Sequence, residues 1–497
     1  MSDSGPIVTL LPLDDRPVNT GHVAGLAATA GTRLRLPPAG LLPAGGVPAD
    51  MDGTSRWLED AAGDSDAVVV SVNQLAHGGF VASRRTTEPL ARTLARLDVL
   101  RRIRADRPDL PVHASVTLMR TKKTDGAGAE PQYWDRHGRR FFALSEELYR
   151  AEHGRPAAVA QARAEIPEPF VADLFTRRLR LHAMHLACVE LVAEGVVDTL
   201  AILVEDSTVE SVSTSEREWL ESWIGRLGLG DRIGCYPGAD EAGAVLTTRA
   251  ALEHAGLRPK VALACLDPDA LGRIAAYEDV PVRDTIADQV AAIGAVLVED
   301  AAHADLVLAV HPPGLPPRDW CSGPDQPERP SGDAVRLAAR ARELLEAGLP
   351  VAVADVADAN GADPALVMAL RGAGLLPRLA GYAAWNTAGN TIGSALAQGC
   401  SRLLANGDRR LAEHARTLTH RLLDDWGYQT SARRGFLAAG TALRPDQVER
   451  ELGELLADLG PPADKFGIAP GSVCFPWDRP FEISFALEHL EEGNDRR

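Results

Sequence analysis

The sequence predicts an α/β protein in which parallel strands form a (β/α)8-like barrel, with a doubly wound parallel sheet as the alternative. Short apolar runs alternate with helical patterns as far as residue 393. About eight of these runs end directly in polar side chains, which is the number of strands in such a barrel. After residue 393 the alternation ceases. We therefore expect an α/β catalytic domain over residues 1–393 and a C-terminal extension over residues 394–497.

The composition narrows the class of protein and of ligand. A chain of 497 residues with 45% hydrophobic content is long enough for two or three domains, or for one large α/β domain with a smaller appendage. Its formal net charge of −17 argues against binding nucleic acid or an anionic membrane, because both need a basic surface. We expect a small-molecule or oligosaccharide substrate, and the sequence leaves the oligomeric state open.

The cysteines and the first residues indicate a cellular location. The six cysteines are scattered and form no CxxC pair, as in proteins of a reducing compartment. The chain opens without a basic and apolar leader, and no apolar run reaches the ~20 residues needed to span a bilayer. The expected location is the cytoplasm.

A dense polar group follows the first predicted strand, Ile7 to Leu11. The acids Asp14 and Asp15 and the cation Arg16 come directly after it, and Pro17 prevents the strand from continuing. This pattern predicts the edge of a pocket. The alternative is a surface turn in which Arg16 neutralises the two acids.

The strand predicted over Ala67 to Val72 is followed by donors suited to hydroxyls or to a carboxylate. A glycine pair in the same stretch allows the backbone to approach a ligand closely, although the spacing is not that of a phosphate-binding loop. The residues concerned are Asn73, Gly78, Gly79 and Arg84.

Cations follow the third predicted strand, Val112 to Leu118. Arg120 and Lys122 are suited to an anionic group, and pairing with acids elsewhere in the chain is the alternative. The polar and aromatic stretch over residues 125–169 is predicted to be an insertion over the strand ends, and a candidate lid.

The fourth predicted strand, Thr199 to Val204, ends in the acid pair Glu205 and Asp206. Burial at a strand end raises the pKa of one acid while its neighbour stays ionised, as general acid catalysis requires. A helix N-cap is an alternative that is compatible with this role. The next predicted strand, Ile233 to Tyr236, is again followed by acids, Asp240 and Glu241.

The stretch from Val351 to Gly393 is predicted to be the floor of the pocket. One apolar run ends at Asp355 and is followed by Asn360 and Asp363. A second apolar run ends in Trp385 and Asn386, with Asn390 close behind. The alternative is that these asparagines only form a turn and a helix cap. The extension after residue 393 is predicted to be mostly helical, with a short β-like tail over Phe466 to Leu487.

Several short motifs resemble a bacterial family catalogued as domain of unknown function 4127. The motifs extend over almost the whole chain, and the resemblance implies no settled activity. At Glu205 and Asp206 this chain departs from the two aspartates that the family tends to carry. The motifs are Pro12-Leu13-Asp14-Asp15-Arg16-Pro17, Gly78-Gly79 with Ser83-Arg84, Gly238-Ala239-Asp240-Glu241, Asn360-Gly361-Ala362-Asp363, Trp385-Asn386-Thr387 with Asn390, and Pro476-Trp477-Asp478-Arg479.

The predicted activity is hydrolysis of a small glycoside or amino-sugar substrate by paired carboxylates. In an eight-stranded barrel, Glu205 or Asp206 follows strand four as general acid, and Asp355 follows strand seven as nucleophile or stabiliser. An adjacent acid pair also resembles the substrate-assisted hexosaminidases. The predicted substrate-binding residues are Asp14, Asp15, Arg16, Asn73, Gly78, Gly79, Arg84, Arg120, Lys122, Asp240, Glu241, Asn360, Asp363, Trp385, Asn386 and Asn390.

Two other functions fit the same residues. We expect no cofactor and no metal, but Asp14, Asp15, Asp240, Glu241, Asp355 and His311 offer ligands for Mg²⁺ or Mn²⁺ in a metal-dependent hydrolase or lyase. This alternative is less favoured, because the sequence contains no pair of histidines at the spacing of a metal-binding helix. The other alternative is a protein that binds a sugar or an organic acid without turnover.

Overall fold

The computed structural model describes residues 5–322, 331–440, 442–461 and 463–490 of the chain, which divides into two compact units. The first unit comprises Met1–Asp15, Arg33–Ala250 and Tyr277–Val280. The second comprises Arg16–Thr32, Ala251–Ala276 and Pro281–Arg497. Both units therefore consist of segments that are distant in sequence.

The first unit contains a six-stranded parallel sheet with strand order β2-β1-β3-β4-β5-β6. Its central strands are rich in Val, Leu and Ile and are buried along their whole length, as expected of parallel strands covered on both faces. The strands are β1 (Ile7–Leu11), β2 (Arg33–Arg35), β3 (Ala67–Ser71), β4 (Val112–Leu118), β5 (Thr199–Val204) and β6 (Ile233–Pro237).

The second unit contains a five-stranded parallel sheet with strand order β11-β10-β9-β7-β8. Strands β9 and β10 lie at its centre and are fully buried. The strands are β7 (Lys260–Ala264), β8 (Val296–Val298), β9 (Leu306–His311), β10 (Val351–Asp355) and β11 (Gly381–Ala383). An antiparallel pair, β12 (Phe466–Ile468) and β13 (Leu487–His489), forms near the C-terminus.

Helices make up the connections between the strands and most of the C-terminal part. They are α1 (Gly21–Ala30), α2 (Met51–Ala62), α3 (Val72–His77), α4 (Phe80–Arg85), α5 (Leu90–Ala95), α6 (Asp98–Asp106), α7 (Trp134–Glu152), α8 (Val159–Ala164), α9 (Glu168–Ala193), α10 (Val212–Leu227), α11 (Ala242–His254), α12 (Val282–Ala292), α13 (Gly332–Glu346), α14 (Pro364–Gly372), α15 (Ala388–Leu404), α16 (Asp408–Leu422), α17 (Arg433–Ala439) and α18 (Pro445–Leu459). No helix of the described part of the chain is both long and apolar enough to cross a membrane.

Short helices of other types complete the structure. A π-helix over Leu423–Ala432 follows α16 directly. Single turns of 3₁₀-helix are found at Pro17–Asn19, Ala39–Leu41, Pro268–Gly272, Ala301–His303, Trp320–Ser322, Leu376–Arg378, Ala463–Lys465 and Pro476–Asp478.

The α/β class and the parallel strands are confirmed, and the predicted strands are found close to their expected positions. The described strands do not form one closed barrel but two separate parallel sheets. The sequence does not indicate this division, because strand ends can be counted from sequence, whereas the distribution of strands between sheets cannot. The predicted boundary at residue 393 falls inside α15, and the domain division stays a prediction.

The two sheets have the same order of strands. Numbered from its own first strand, each sheet reads 2-1-3-4-5, and the first unit adds a sixth strand at the end. This is the order of flavodoxin-like doubly wound sheets, in which ligands bind at the carboxyl ends of strands 1 and 3, where the order reverses. In the first unit this switch point lies between β1 and β3, and in the second unit between β7 and β9.

Candidate functional site

An open cavity lies at the switch point of the second unit. It has a volume of about 260 Å³ and is lined by residues that follow β7, that end β9 or that belong to the first turns of α13. Its buried floor includes Val310, His311 and Leu337, and exposed side chains of both charges form its rim. We name it the switch-point cavity, and its lining residues are Leu266, Asp267, Val310, His311, Pro312, Asp333, Arg336 and Leu337.

His311 is the ionisable side chain on the floor of this cavity. It is the last residue of β9, and its Nε2 lies 3.0 Å from Oδ2 of Asp363. Burial lowers the pKa of His311, but the hydrogen bond to Asp363 and the negative charges of Asp355 and Asp363 outweigh this effect. The pKa is therefore raised above its usual 6.5, which favours the protonated imidazole.

Two aspartates near the end of β10 support His311. Asp355 is the last residue of β10 and lies opposite His311 in the register of the sheet. Its Oδ2 accepts hydrogen bonds from the backbone N–H of Asp363, at 2.7 Å, and from the hydroxyl of Tyr382, at 3.2 Å. Burial raises the pKa of Asp355 to about 6, although the charge of His311 opposes the rise. Tyr382, Asp355, Asp363 and His311 thus form one connected chain of hydrogen bonds.

The π-helix attaches the loop after β10 to the end of β11. Asp425 accepts a hydrogen bond at its Oδ2 from the backbone N–H of Ala384, at 2.7 Å, and at its carbonyl from the N–H of Ala362, at 3.1 Å. The carboxylate also pairs with Arg421. Burial raises the pKa of Asp425 to about 7 against the opposing charge of Arg421. π-Helical backbone is rare and is frequent at functional sites.

The loops after β10 and β11 contain two asparagines with left-handed backbone. Asn360 has φ +62° and Asn386 has φ +68°, and the N–H of Asn360 donates to the carbonyl of Asn386 at 2.9 Å. Asparagine tolerates this conformation better than most residues, and strained backbone concentrates at functional sites. The Nδ2 of Asn360 also donates to Asp319 at 2.8 Å, and Asn390 donates to Thr387 at 2.9 Å.

Aromatic side chains surround the loop after β10. Trp385, at the end of β11, is buried, and its ring lies 5.6 Å from that of Phe481. Trp320, in the loop after β9, packs on Gly361 so closely that a Cβ there would meet its ring at 2.8 Å. Arg16 also belongs to the second unit, where it pairs with Glu482 at 2.7 Å and lies over the ring of Trp477.

The first unit contains a buried or half-buried group of two arginines and three acids. Glu130 accepts at its Oε1 from Arg120 at 2.8 Å and from Arg84 at 3.2 Å, and both arginines also pair with Glu205. Arg120 pairs in addition with Asp206, whose φ is +38°. Burial raises the pKa of Glu205 although both arginines oppose it. We name these five residues the arginine–carboxylate group.

The other predicted residues of the first unit have identifiable structural contacts. Asn73 joins β3 to β4, because its side chain donates to the Thr117 hydroxyl at 2.8 Å and accepts from the Thr117 N–H at 2.9 Å. Gly78 has φ +77° and ends α3, and a Cβ there would lie 2.9 Å from the backbone N of Ala49. Glu241 accepts from the N–H of Ala239 at 2.8 Å.

Several predicted residues of the first unit lie at the ends of its strands. Asp14 and Asp15 follow β1, and Asn73 follows β3, so these three border the switch point of the sheet. Lys122 lies beyond β4 and donates to the carbonyl of Gly126 at 3.0 Å, and burial lowers its pKa. Gly79 follows Gly78, with φ +131°, and Asp240 is buried before α11.

The structure thus brings the predicted residues together in two groups, one in each unit. Asp355, Asn360, Asp363, Trp385 and Asn386 meet at the carboxyl edge of the second sheet. The other group lies at the carboxyl edge of the first sheet and consists of Arg84, Arg120, Glu205 and Asp206. The predicted pairing of Glu205 or Asp206 with Asp355 joins residues of different units and stays a prediction.

Sequence reasoning missed part of the group in the second unit. His311 was considered only as a metal ligand, because Asp363, its partner, is 52 residues away in sequence. Asp425 and Arg433 lie in helical patterns that carry no signal for a site. Among the described residues, no three His, Cys, Asp or Glu side chains are arranged to hold a metal ion. The Mg²⁺ or Mn²⁺ alternative stays a prediction.

A protein-family model matches most of the chain. The family model described as "Protein of unknown function (DUF4127)" matches residues 8–486. No curated protein and no solved structure matches the chain.

Proposed function

The chain belongs to the DUF4127 family, whose function is unknown, and from this premise we propose that it is a hydrolase of small glycosides acting at the switch-point cavity. The observation that carries the proposal is the His311 imidazole, which lies on the floor of that cavity and is held by Asp363. General acid–base catalysis needs a positioned group with a pKa near the working pH. His311 is such a positioned group: burial lowers its pKa, but Asp363 and Asp355 raise it above the usual value of a histidine.

In the proposed reaction His311 transfers the proton. The imidazolium donates its proton to the oxygen of the leaving group while the bond from that oxygen to the anomeric carbon breaks. The neutral imidazole then accepts a proton from the water that adds to the anomeric carbon, which restores the imidazolium. Asp363 holds Nε2, so that Nδ1 is the nitrogen that exchanges the proton with the substrate.

Carboxylates at the rim of the cavity are suited to stabilise the transition state of glycoside hydrolysis. The transition state carries positive charge at the anomeric carbon, which a carboxylate stabilises. Asp267 and Asp333 line the same cavity as His311 and are the candidates for this role. Asp355 is fully buried, and we therefore assign it a positioning role through Asp363 in place of the predicted role of nucleophile.

Size and polarity support a small substrate. Ligand cavities in proteins usually measure roughly 300–1,000 Å³, so that a cavity of about 260 Å³ fits a ligand of about one sugar ring. Its rim offers charged side chains to hydroxyl groups, while Val310 and Leu337 offer an apolar floor.

A panel of aryl glycosides, assayed with and without Mg²⁺ or Mn²⁺, tests the proposal. We expect turnover of at least one member by the wild-type protein. We expect His311→Asn to lower kcat/KM by about 100-fold or more. His303→Asn, which alters an exposed histidine of the same unit, is the matched control and should leave kcat/KM unchanged.

Three outcomes decide between the assignments. Loss of turnover in Glu205→Gln or Asp206→Asn with His311→Asn fully active would place the general acid in the first unit, as the sequence alone predicts. Turnover that depends on added metal would favour the metal-dependent alternative. Binding of sugars without turnover of any glycoside would indicate a binding protein and contradict the proposal.

A further inference from the structure

Among the buried polar atoms of the second unit that have no hydrogen-bond partner in the described residues, four belong to residues around the loop after β10. They are Nε1 of Trp320, Nε1 of Trp385, Nε of Arg433 and Oδ1 of Asn360. Each of the four side chains is more than nine-tenths buried. An unpaired buried polar atom destabilises the fold, so that four of them in one place need an explanation.

These four residues, which we name the tryptophan cluster, are joined to one another. Arg433 donates from Nη2 to the carbonyl of Asn360 at 3.2 Å, and Asn360 donates its N–H to Asn386, the neighbour of Trp385. The ring of Trp320 packs on Gly361, the neighbour of Asn360. Phe481 lies 5.6 Å from Trp385, and its carbonyl accepts from Arg433 at 3.3 Å. The unpaired atoms therefore belong to one place in the fold.

Arg433 adds an uncompensated charge. Its guanidinium donates to two backbone carbonyls and interacts with the Cys321 thiol, and no carboxylate within 4 Å pairs with it among the described residues. Other buried arginines of the chain have acidic partners, as Arg178 has in Glu216 and Arg421 in Asp425. A buried cation without a carboxylate partner is unfavourable, and a bound anion would lower that cost.

The unpaired atoms define the chemistry of a ligand. Three of them are N–H donors, one on a cation, and together they match the acceptor oxygens of a carboxylate and of a hydroxyl. The fourth, Oδ1 of Asn360, needs a donor such as a hydroxyl. Two indole rings beside these groups suit the C–H face of a saturated ring. A neutral sugar would leave the charge of Arg433 unpaired, and a simple carboxylate would leave Asn360 unpaired.

We propose that the tryptophan cluster is a binding site for a hydroxylated ring that carries a carboxylate, of the sugar-acid class. The carboxylate pairs with Arg433 and accepts from an indole N–H, and a ring hydroxyl donates to Asn360. The cluster shares no residue with the lining of the switch-point cavity, so that this inference goes beyond the proposed function and does not depend on it.

Isothermal titration calorimetry on the full chain, with D-glucuronate, D-glucose and acetate as probes, tests the site. We expect glucuronate to bind about tenfold or more tightly than either other probe, because glucuronate offers both a carboxylate to Arg433 and a hydroxyl to Asn360. Arg433→Met should abolish the preference. Arg444→Met removes an exposed arginine that pairs with Asp446 and is the matched control, with unchanged binding.

A second variant keeps the test decisive if Arg433→Met does not fold. Trp385→Phe retains an aromatic ring and removes only the N–H, and it should weaken glucuronate binding by about tenfold. Equal affinity for glucuronate and glucose, or for glucuronate and acetate, would overturn the proposal. The same titration with His311→Asn separates this proposal from the proposed hydrolase activity. Retained glucuronate binding in His311→Asn supports the tryptophan cluster as a binding site, whether or not glycosides are hydrolysed. Absence of glucuronate binding in every protein contradicts it.

Discussion

The charge of the His311 imidazole is set by carboxylates that reach it from the neighbouring strand and loop. Asp363 contacts the ring directly, and Asp355 lies opposite it in the sheet. Because the pKa of His311 is raised in the folded protein, its protonated form stabilises the fold below about pH 6.5. That contribution is lost as the pH rises through the folded pKa.

Asp363→Asn should lower the pKa of His311, since burial remains and one negative charge is removed. Histidine NMR titrations of the wild type and of the variant measure this shift. An unchanged pKa in Asp363→Asn would show that Asp363 does not control the imidazole.

The raised pKa of His311 also predicts a pH-dependent stability. The difference in unfolding free energy between the wild type and His311→Asn should be larger at about pH 6 than at about pH 8.

Glu205 pairs with both arginines of the arginine–carboxylate group, Arg84 and Arg120. Glu205→Gln leaves Arg84 and Arg120 with less buried negative charge and should lower the unfolding free energy by about 3–5 kcal/mol. Glu59→Gln, at an exposed pair with Arg102, is the control and should cost less than about 1 kcal/mol. Urea unfolding measures both, and equal effects would refute a structural role for the arginine–carboxylate group.

The loop after β10 is the element that positions the polar residues of the second unit. It contains Asn360 and Asp363, and it is held by the π-helix through Asp425 and by Trp320 over Gly361. Its ends were predictable from sequence, because an apolar run that stops at Asp355 and a short Asn-Gly stretch are local signals. Its supports were not, since Trp320 and Asp425 come from elements distant in sequence.

Gly361→Ala tests how tightly this loop is packed. The new Cβ would lie 2.6 Å from Oγ1 of Thr430 and 2.8 Å from the Trp320 ring, so that the unfolding free energy should fall by about 1–3 kcal/mol. Gly453→Ala in α18 meets no atom within 4 Å and should raise it by about 0.5–1 kcal/mol. Equal effects of the two substitutions in thermal or urea unfolding would mean that Trp320 does not pack tightly on the loop at Gly361.

At the scale of the molecule, the same strand order recurs in two parallel sheets, each with its own switch point. The apolar runs predicted the strands well, because buried parallel strands leave a local pattern. Their pairing was not predictable, since the order of strands depends on the path of the connections. The count of about eight polar strand ends fits one barrel as well as two open sheets. The predicted residues fall into two groups of polar side chains, one in each unit, and the single pocket stays a prediction.

The central claim is that a sugar binds beside His311 at the switch point of the second unit. Its most direct test is NMR of the protein labelled at its 13 histidines, with the His311 signal assigned from His311→Asn. Addition of a glycoside that the protein hydrolyses, or of its sugar product, should shift the His311 signal and leave the exposed His303 unchanged. A saturating sugar that leaves the His311 signal in place would contradict the claim.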